Sequence, residues 1–156
     1  MELENLGVYE EIMKALKEKQ VKFEEFEHAP VKTTPEAARI LGVQESLGIK
    51  SLLFKTDKGE FILSLTSGDK KADTKKICEI QECKSLKLAS PDEVKSLAGC
   101  EVGCVPPFGH PAKIKTFADP ELLEKSELYF NPGVNNKTLK VSGADLDKLV
   151  NYIKVK

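Results

Sequence analysis

The ten residues Val102-Gly103-Cys104-Val105-Pro106-Pro107-Phe108-Gly109-His110-Pro111 contain two glycines and three prolines. Proline has no N–H for a strand ladder and holds φ near −65°, while glycine supplies turns that other residues resist. The segment therefore reads as a rigid loop whose ends flank apolar strands, with backbone N–H groups aimed at something other than a partner strand. It is either a rigid surface turn or the main-chain wall of a pocket. Lys50, in the middle of an otherwise apolar strand far upstream, is the residue to read with it.

A chain of 156 residues with 40% hydrophobic content suits one compact domain, residues 1–156, with a real core. The formal charge is −1, from 24 basic and 25 acidic side chains, and Arg39 is the sole arginine. That balance argues against a protein that coats nucleic acid through a concentrated positive face. The run Asp69-Lys70-Lys71-Ala72-Asp73-Thr74-Lys75-Lys76 reads either as a local basic patch or as the solvated face of a helix. No stretch is apolar enough to span a bilayer, and the acidic N-terminus does not resemble a signal sequence, so a cytoplasmic protein without a membrane partner is expected. The cysteines Cys78, Cys83, Cys100 and Cys104 invite a zinc reading. Their C-x4-C and C-x3-C spacings are not paired knuckles, and Cys78 beside Ile77 and Ile80 suits a small core residue.

Helices and strands alternate along the chain. Leu6, Val8, Ile12, Met13 and Leu16 form a mostly helical apolar stripe, and Phe23 to His28 is extended. Thr34-Pro35-Glu36-Ala37-Ala38 opens a second helix with Thr34 as N-cap, and Gly42 can end it. Ile49–Thr56 and Glu60–Thr66 read as a hairpin joined by Asp57-Lys58-Gly59. Thr74–Ile80 is a helix, Leu86–Ala89 a short strand, and Ser90-Pro91-Asp92-Glu93 a capping box opening a helix that stops at Gly99. Lys113–Phe117 is extended, and Asp119-Pro120-Glu121 caps one turn. Glu127–Phe130 and Thr138–Val141 pair, and a last helix covers Ala144–Ile153. The hairpins rule out a purely parallel doubly wound sheet. The expected fold is α+β, a mixed, mostly antiparallel sheet curled around a central cleft with helices outside.

The motifs of common catalytic machines are missing: there is no G-x-S-x-G elbow, Walker loop, H-E-x-x-H or dinucleotide fingerprint. What remains is catalysis by main-chain donors and one or two positioned polar side chains. Such a site suffices for an activated substrate such as an ester, because each oxyanion donor contributes roughly 10²–10³ in rate.

Four segments in order resemble the YbaK/ProX aminoacyl-tRNA deacylases, which also occur as editing domains of prolyl-tRNA synthetases. Residues Glu27-His28-Ala29-Pro30-Val31-Lys32-Thr33-Thr34-Pro35-Glu36-Ala37-Ala38 are similar to the family's opening motif. Gly48-Ile49-Lys50-Ser51-Leu52-Leu53-Phe54 resembles its lysine-bearing strand, and Gly103-Cys104-Val105-Pro106-Pro107 its G-x-x-x-P loop. Tyr129-Phe130-Asn131-Pro132-Gly133 and Val141-Ser142-Gly143-Ala144-Asp145-Leu146 are similar to its last hairpin and helix.

The resemblance implies hydrolysis of the ester between a wrong amino acid and the 3′-terminal adenosine of tRNA, with alanine on tRNA(Pro) the expected substrate. It needs no cofactor and no metal, and prolyl-tRNA synthetase is a candidate partner. A synthetase pocket built for proline rejects smaller amino acids weakly, since missing methylenes forfeit only about 1–3 kcal/mol. By resemblance, Lys50 and Gly103 are the catalytic positions. Lys50 polarises the carbonyl or holds the terminal phosphate, the Gly103 loop supplies backbone contacts, and water attacks. The substrate-binding candidates are His28, Thr34, Ser51, Cys104, Val105, Pro106, Phe108, Gly109, His110 and Asn131. Asn131 stands where some alanine-clearing relatives carry histidine. Two readings compete with hydrolysis: a catalytically silent tRNA-binding or assembly domain appended to a synthetase, and a small zinc protein. Metal analysis tests the last: stoichiometric zinc and unfolding by a chelator would establish it, whereas unchanged circular dichroism in EDTA is expected.

Overall fold

The computed structural model describes residues 2–155, with side chains from residue 7 onward. Helix α1 spans Glu2–Glu18. Its stripe buries Val8, Ile12 and Leu16, while Leu6 lies outside the residues with described side chains. Strand β1 (Glu24–Glu27) leads into α2 (Thr34–Leu41). The N-cap of α2 is Thr33 rather than Thr34, because the Thr33 hydroxyl accepts from the Glu36 N–H at 3.2 Å, and Thr34 becomes the first helical residue. Gly42 ends the helix at φ 71°.

A 3₁₀ turn at Glu45–Leu47 precedes the hairpin of β2 (Ile49–Thr56) and β3 (Phe61–Ser67). Helix α3 (Thr74–Gln81), strand β4 (Leu86–Leu88) and helix α4 (Pro91–Ala98) follow. The capping box at α4 forms in both directions, Ser90 with the Glu93 N–H and Glu93 with the Ser90 N–H. The hydrogen bond from the Ser90 backbone, with Lys55 at 3.1 Å, holds the Glu93 carboxyl below its ordinary range. The proline-rich loop thus leaves a helix and enters strand β5 (Lys115–Ala118), so only its C-terminal end meets a strand. A 3₁₀ turn (Pro120–Glu124), β6 (Leu128–Phe130), β7 (Lys137–Val141) and α5 (Gly143–Leu149) complete most of the chain.

The last helix is shorter than its pattern suggests. It ends at Leu149, and Ile153–Lys154 forms β8, parallel to β5. Isoleucine and valine at 150, 153 and 155 favour extended backbone, and pairing with Phe117 and Ala118 gives the chain end a ladder.

The expected α+β architecture is present, divided between two sheets. One is antiparallel in the order β1-β7-β6; the other is mixed, in the order β4-β2-β3-β5-β8. A parallel bridge between Gly48 and Tyr129 joins them. The main core lies between the sheets and under α1, α4 and α5, while Phe54, Ile62, Ile77 and Phe117 form a smaller core beneath α3. The two faces of β2 serve different cores: Ile49 and Leu53 belong to the main one, Phe54 to the smaller. Among the described residues no helix is long and apolar enough to cross a membrane.

Phe117 is fully buried in the smaller core beside Phe54, Ile62 and Ile77. Phe117→Ala should lower the unfolding free energy by about 3–5 kcal/mol. A urea titration checks this, with the midpoint falling and the slope unchanged.

Candidate functional site

A cavity of about 400 Å³ opens between the two sheets. Its walls are the first turns of α2 (Thr33, Thr34, Pro35, Ala37, Ala38), the edge of β2 from Gly48 to Leu52, the loop residues Val102, Gly103 and Val105, and Tyr129, Phe130, Asn131 and Thr138.

Gly48 and the first four residues of β2 line the cavity because that strand is only half paired on one side. β3 covers it throughout, but β4 reaches only Phe54, Lys55 and Thr56. Successive residues of an antiparallel strand direct their N–H and C=O to opposite edges. The Gly48 carbonyl accepts from Gly68 on the β3 side, and the Leu53 carbonyl accepts from Ala89 on the β4 side. The odd residues therefore face the open edge, and the N–H and C=O of Ser51 point at the cavity. The Ser51 hydroxyl is buried and has no hydrogen-bond partner. It is an enclosed polar atom of a residue that lines a mostly apolar chamber.

Lys50 also lines the cavity, although its backbone pairs with β3. Alternation puts its side chain with Leu52 and Phe54, on the opposite face from Ser51. Its ammonium donates to the carbonyl of Lys70. An ammonium has three donors, so this bond leaves two for an incoming oxygen.

Gly103 shapes the opposite wall. Its φ is 91°, and the Cys104 N–H returns to the Glu101 carbonyl at 3.0 Å, so residues 101–104 form a turn with glycine at its third position. A Cβ at Gly103 would stand 2.1 Å from the Lys32 carbonyl oxygen. The turn thus presses on the chain entering α2 and closes the cavity there. It also consumes the Cys104 N–H, which removes one of the loop donors expected to face substrate.

Of the other expected contacts, Thr34, Ser51, Val105 and Asn131 meet Lys50 and Gly103 at the cavity. The Asn131 side-chain oxygen accepts from the Gly133 N–H at 2.7 Å. Cys104, Pro106 and Phe108 turn inward instead. Burial pushes the Cys104 thiol up to about 11, which keeps it neutral, and Phe108 packs on Phe130 at 5.7 Å between ring centroids. Gly109 and His110 line a separate cavity beside α1 and α4. The His110 Nε2 donates to the Pro106 carbonyl at 2.7 Å, and burial holds the imidazole below its ordinary range. The second half of the loop therefore braces the wall from behind, because its apolar side chains gain more from the core than from the chamber.

His28 is not a wall residue. Its ring sits behind Thr138, a lining residue absent from the sequence-based candidates. Thr138 belongs to a short strand with no motif of its own. The four cysteines are not gathered either: Cys78 contacts Cys83, while Cys100 and Cys104 are buried in the main core. Among the described residues no three His, Cys, Asp or Glu side chains converge.

The model of the aminoacyl-tRNA editing domain family matches residues 28–149. The proline–tRNA ligase of Bacillus licheniformis is 41% identical over 93 residues, which make up 59% of this chain and 16% of the ligase. The multifunctional Ser/Thr-tRNA deacylase ProXp-y of Escherichia coli K12 is 30% identical over 142 residues, covering 88% of this chain and 84% of the deacylase. Among solved structures, a candidate trans-editing enzyme for prolyl-tRNA synthetase superposes with a TM-score of 0.79 at 27% identity, with 94% of each chain covered. A hypothetical protein superposes with a TM-score of 0.83 at 28% identity, over 92% of this chain and 96% of its own.

Gly103→Ala tests the wall. Both the positive φ and the Lys32 carbonyl oppose a Cβ, so the turn must move. The variant should lose at least about 1 kcal/mol of stability in a denaturant titration, and adenosine derivatives that enter the cavity should bind measurably more weakly.

Proposed function

This chain belongs to the aminoacyl-tRNA editing domain family, and on that premise we propose that it hydrolyses the ester joining a small amino acid to the 3′-terminal adenosine of tRNA. The observation that carries the reading is the open edge of β2, where the backbone of Ser51 points at a mostly apolar chamber and its buried hydroxyl has no hydrogen-bond partner. An aminoacyl ester supplies what that edge lacks: a carbonyl oxygen for the Ser51 N–H and a small side chain for the chamber.

In the reaction, water adds to the ester carbonyl and the oxygen gains negative charge. The tetrahedral centre then expels the ribose oxygen, which takes up a proton as the amino acid leaves. The Ser51 N–H and a remaining Lys50 hydrogen stabilise the developing oxyanion or the neighbouring phosphate, and the rigid Gly103 turn holds the terminal nucleoside. The free ribose hydroxyl of the substrate orients the water. Fixed donors in a water-poor site need no rearrangement as charge develops, which is the source of their effect.

The likeness to a proline–tRNA ligase supports tRNA(Pro) as the carrier, and the chamber suits alanine. The buried Ser51 hydroxyl, without a partner of its own, gives serine and threonine a hydrogen-bond partner that alanine cannot use, in keeping with the name of the E. coli relative, a Ser/Thr-tRNA deacylase. Serine and threonine esters are therefore cleared faster than alanine.

Deacylation of Ala-, Ser-, Thr- and Pro-tRNA(Pro) tests this directly. Serine and threonine should be released fastest, alanine more slowly and proline least. Lys50→Ala should lower kcat/KM about 10²-fold on every ester, and Ser51→Ala should narrow the serine-to-alanine ratio by about five- to tenfold. Salt-dependent tRNA binding without release of any amino acid would select a silent binding domain instead.

A further inference from the structure

The ring of His28 is held at both ends. Its Nδ1 lies 2.8 Å from the Ala29 carbonyl, and its Nε2 lies 2.8 Å from the Thr138 hydroxyl. A carbonyl only accepts, so Nδ1 carries a hydrogen, and in the singly protonated ring Nε2 offers only a lone pair. In that form the Thr138 hydroxyl donates to His28. A hydroxyl has one hydrogen, so the Thr138 oxygen keeps lone pairs alone for any further partner.

The backbone makes this arrangement specific. Phe26 is registered opposite Thr138, and the His28 N–H continues the ladder to the Asn136 carbonyl. His28 and Thr138 are consequently diagonal neighbours on one face of the sheet, within reach of each other. Thr138 is 3% exposed and lines the chamber. An acceptor-only oxygen in an apolar wall favours a donor, and a cationic donor most of all. The aminoacyl ester has one such group close to its reacting carbonyl, the α-ammonium, which Lys50 would repel.

We infer that Thr138 is the acceptor for the substrate's α-ammonium and that His28 is a positioning residue that fixes the Thr138 hydroxyl in that role. This rests on the deacylase reading for its ligand class, but it concerns recognition rather than cleavage.

The test reads binding of two non-hydrolysable amides, 3′-alanylamino-adenosine and 3′-propionylamino-adenosine, which differ only in the α-amino group. At pH 7, below the ordinary α-amino range, the wild-type chain should prefer the alanyl compound by about tenfold, as for a charge-assisted bond. Thr138→Val and His28→Leu should erase that preference. His28→Gln should restore most of it, because its amide oxygen can accept the Thr138 hydrogen in place of Nε2. Equal affinities in the wild type, binding of neither compound, an unchanged preference in Thr138→Val, or an equal loss for both compounds in His28→Leu would each overturn the inference. Aminoacyl-tRNA hydrolysis by the wild type is measured separately. Its absence overturns the deacylase reading while leaving the binding preference to decide this one.

Discussion

Strand β2 has β3 along its whole length but β4 only from Phe54 to Thr56, and the backbone below that point must find partners elsewhere. Buried N–H and C=O groups are rarely left alone, since each costs about 1–3 kcal/mol when unpaired. The chain meets this demand at Gly48 with a bridge to Tyr129 and leaves Ser51 facing a chamber. The same half-pairing separates the two sheets and so creates the space between them. An extended β4 would have produced a continuous sheet with no cavity at this place.

The proline-rich loop works as a buttress with one face on the chamber. Its first residues, Val102, Gly103 and Val105, reach the chamber, while Pro106 and Phe108 are anchored in the core. At Gly109, where φ is 86°, a Cβ would lie 2.8 Å from Ile12, so the loop also sits tightly on α1. His110 adds a neutral imidazole bond to the Pro106 carbonyl. Three independent anchors thus hold a short stretch of main chain against Lys32. Rigidity of this kind costs nothing further when a ligand binds, because the ordering was completed on folding.

The chemistry of the chamber is correspondingly spare. It combines apolar side chains with a few hydroxyls and main-chain groups, and of the two lysines that line it, Lys32 and Lys50, the second is tied to the Lys70 carbonyl. The cysteine nearest the wall, Cys104, is neutral and buried, so it offers no nucleophile. Such a site suits a substrate that carries its own reactivity and asks mainly for position and charge stabilisation.

Local signals in the chain were sufficient for most elements. The Ser90–Glu93 capping box, the Gly42 and Gly99 stops and the Asp57-Lys58-Gly59 hairpin are short-range devices, and a linear sequence displays them fully. Lys50, Ser51 and Gly103, which line the cavity, stood out for the same reason, each lying in a compact motif. Reading Thr33 for Thr34 at the cap of α2 is a matter of which hydroxyl reaches Glu36, and two adjacent threonines cannot be told apart by type. The end of α5 was decided by a strand partner, β5, more than thirty residues away. The sequence by itself therefore determined the element types, the rigid loop and the lysine-bearing strand. Only the tertiary structure decided that β2 keeps an open edge, that Cys104, Pro106 and Phe108 turn inward, and that His28 stands behind Thr138. These depend on which distant backbones come to lie side by side, and no local preference encodes that.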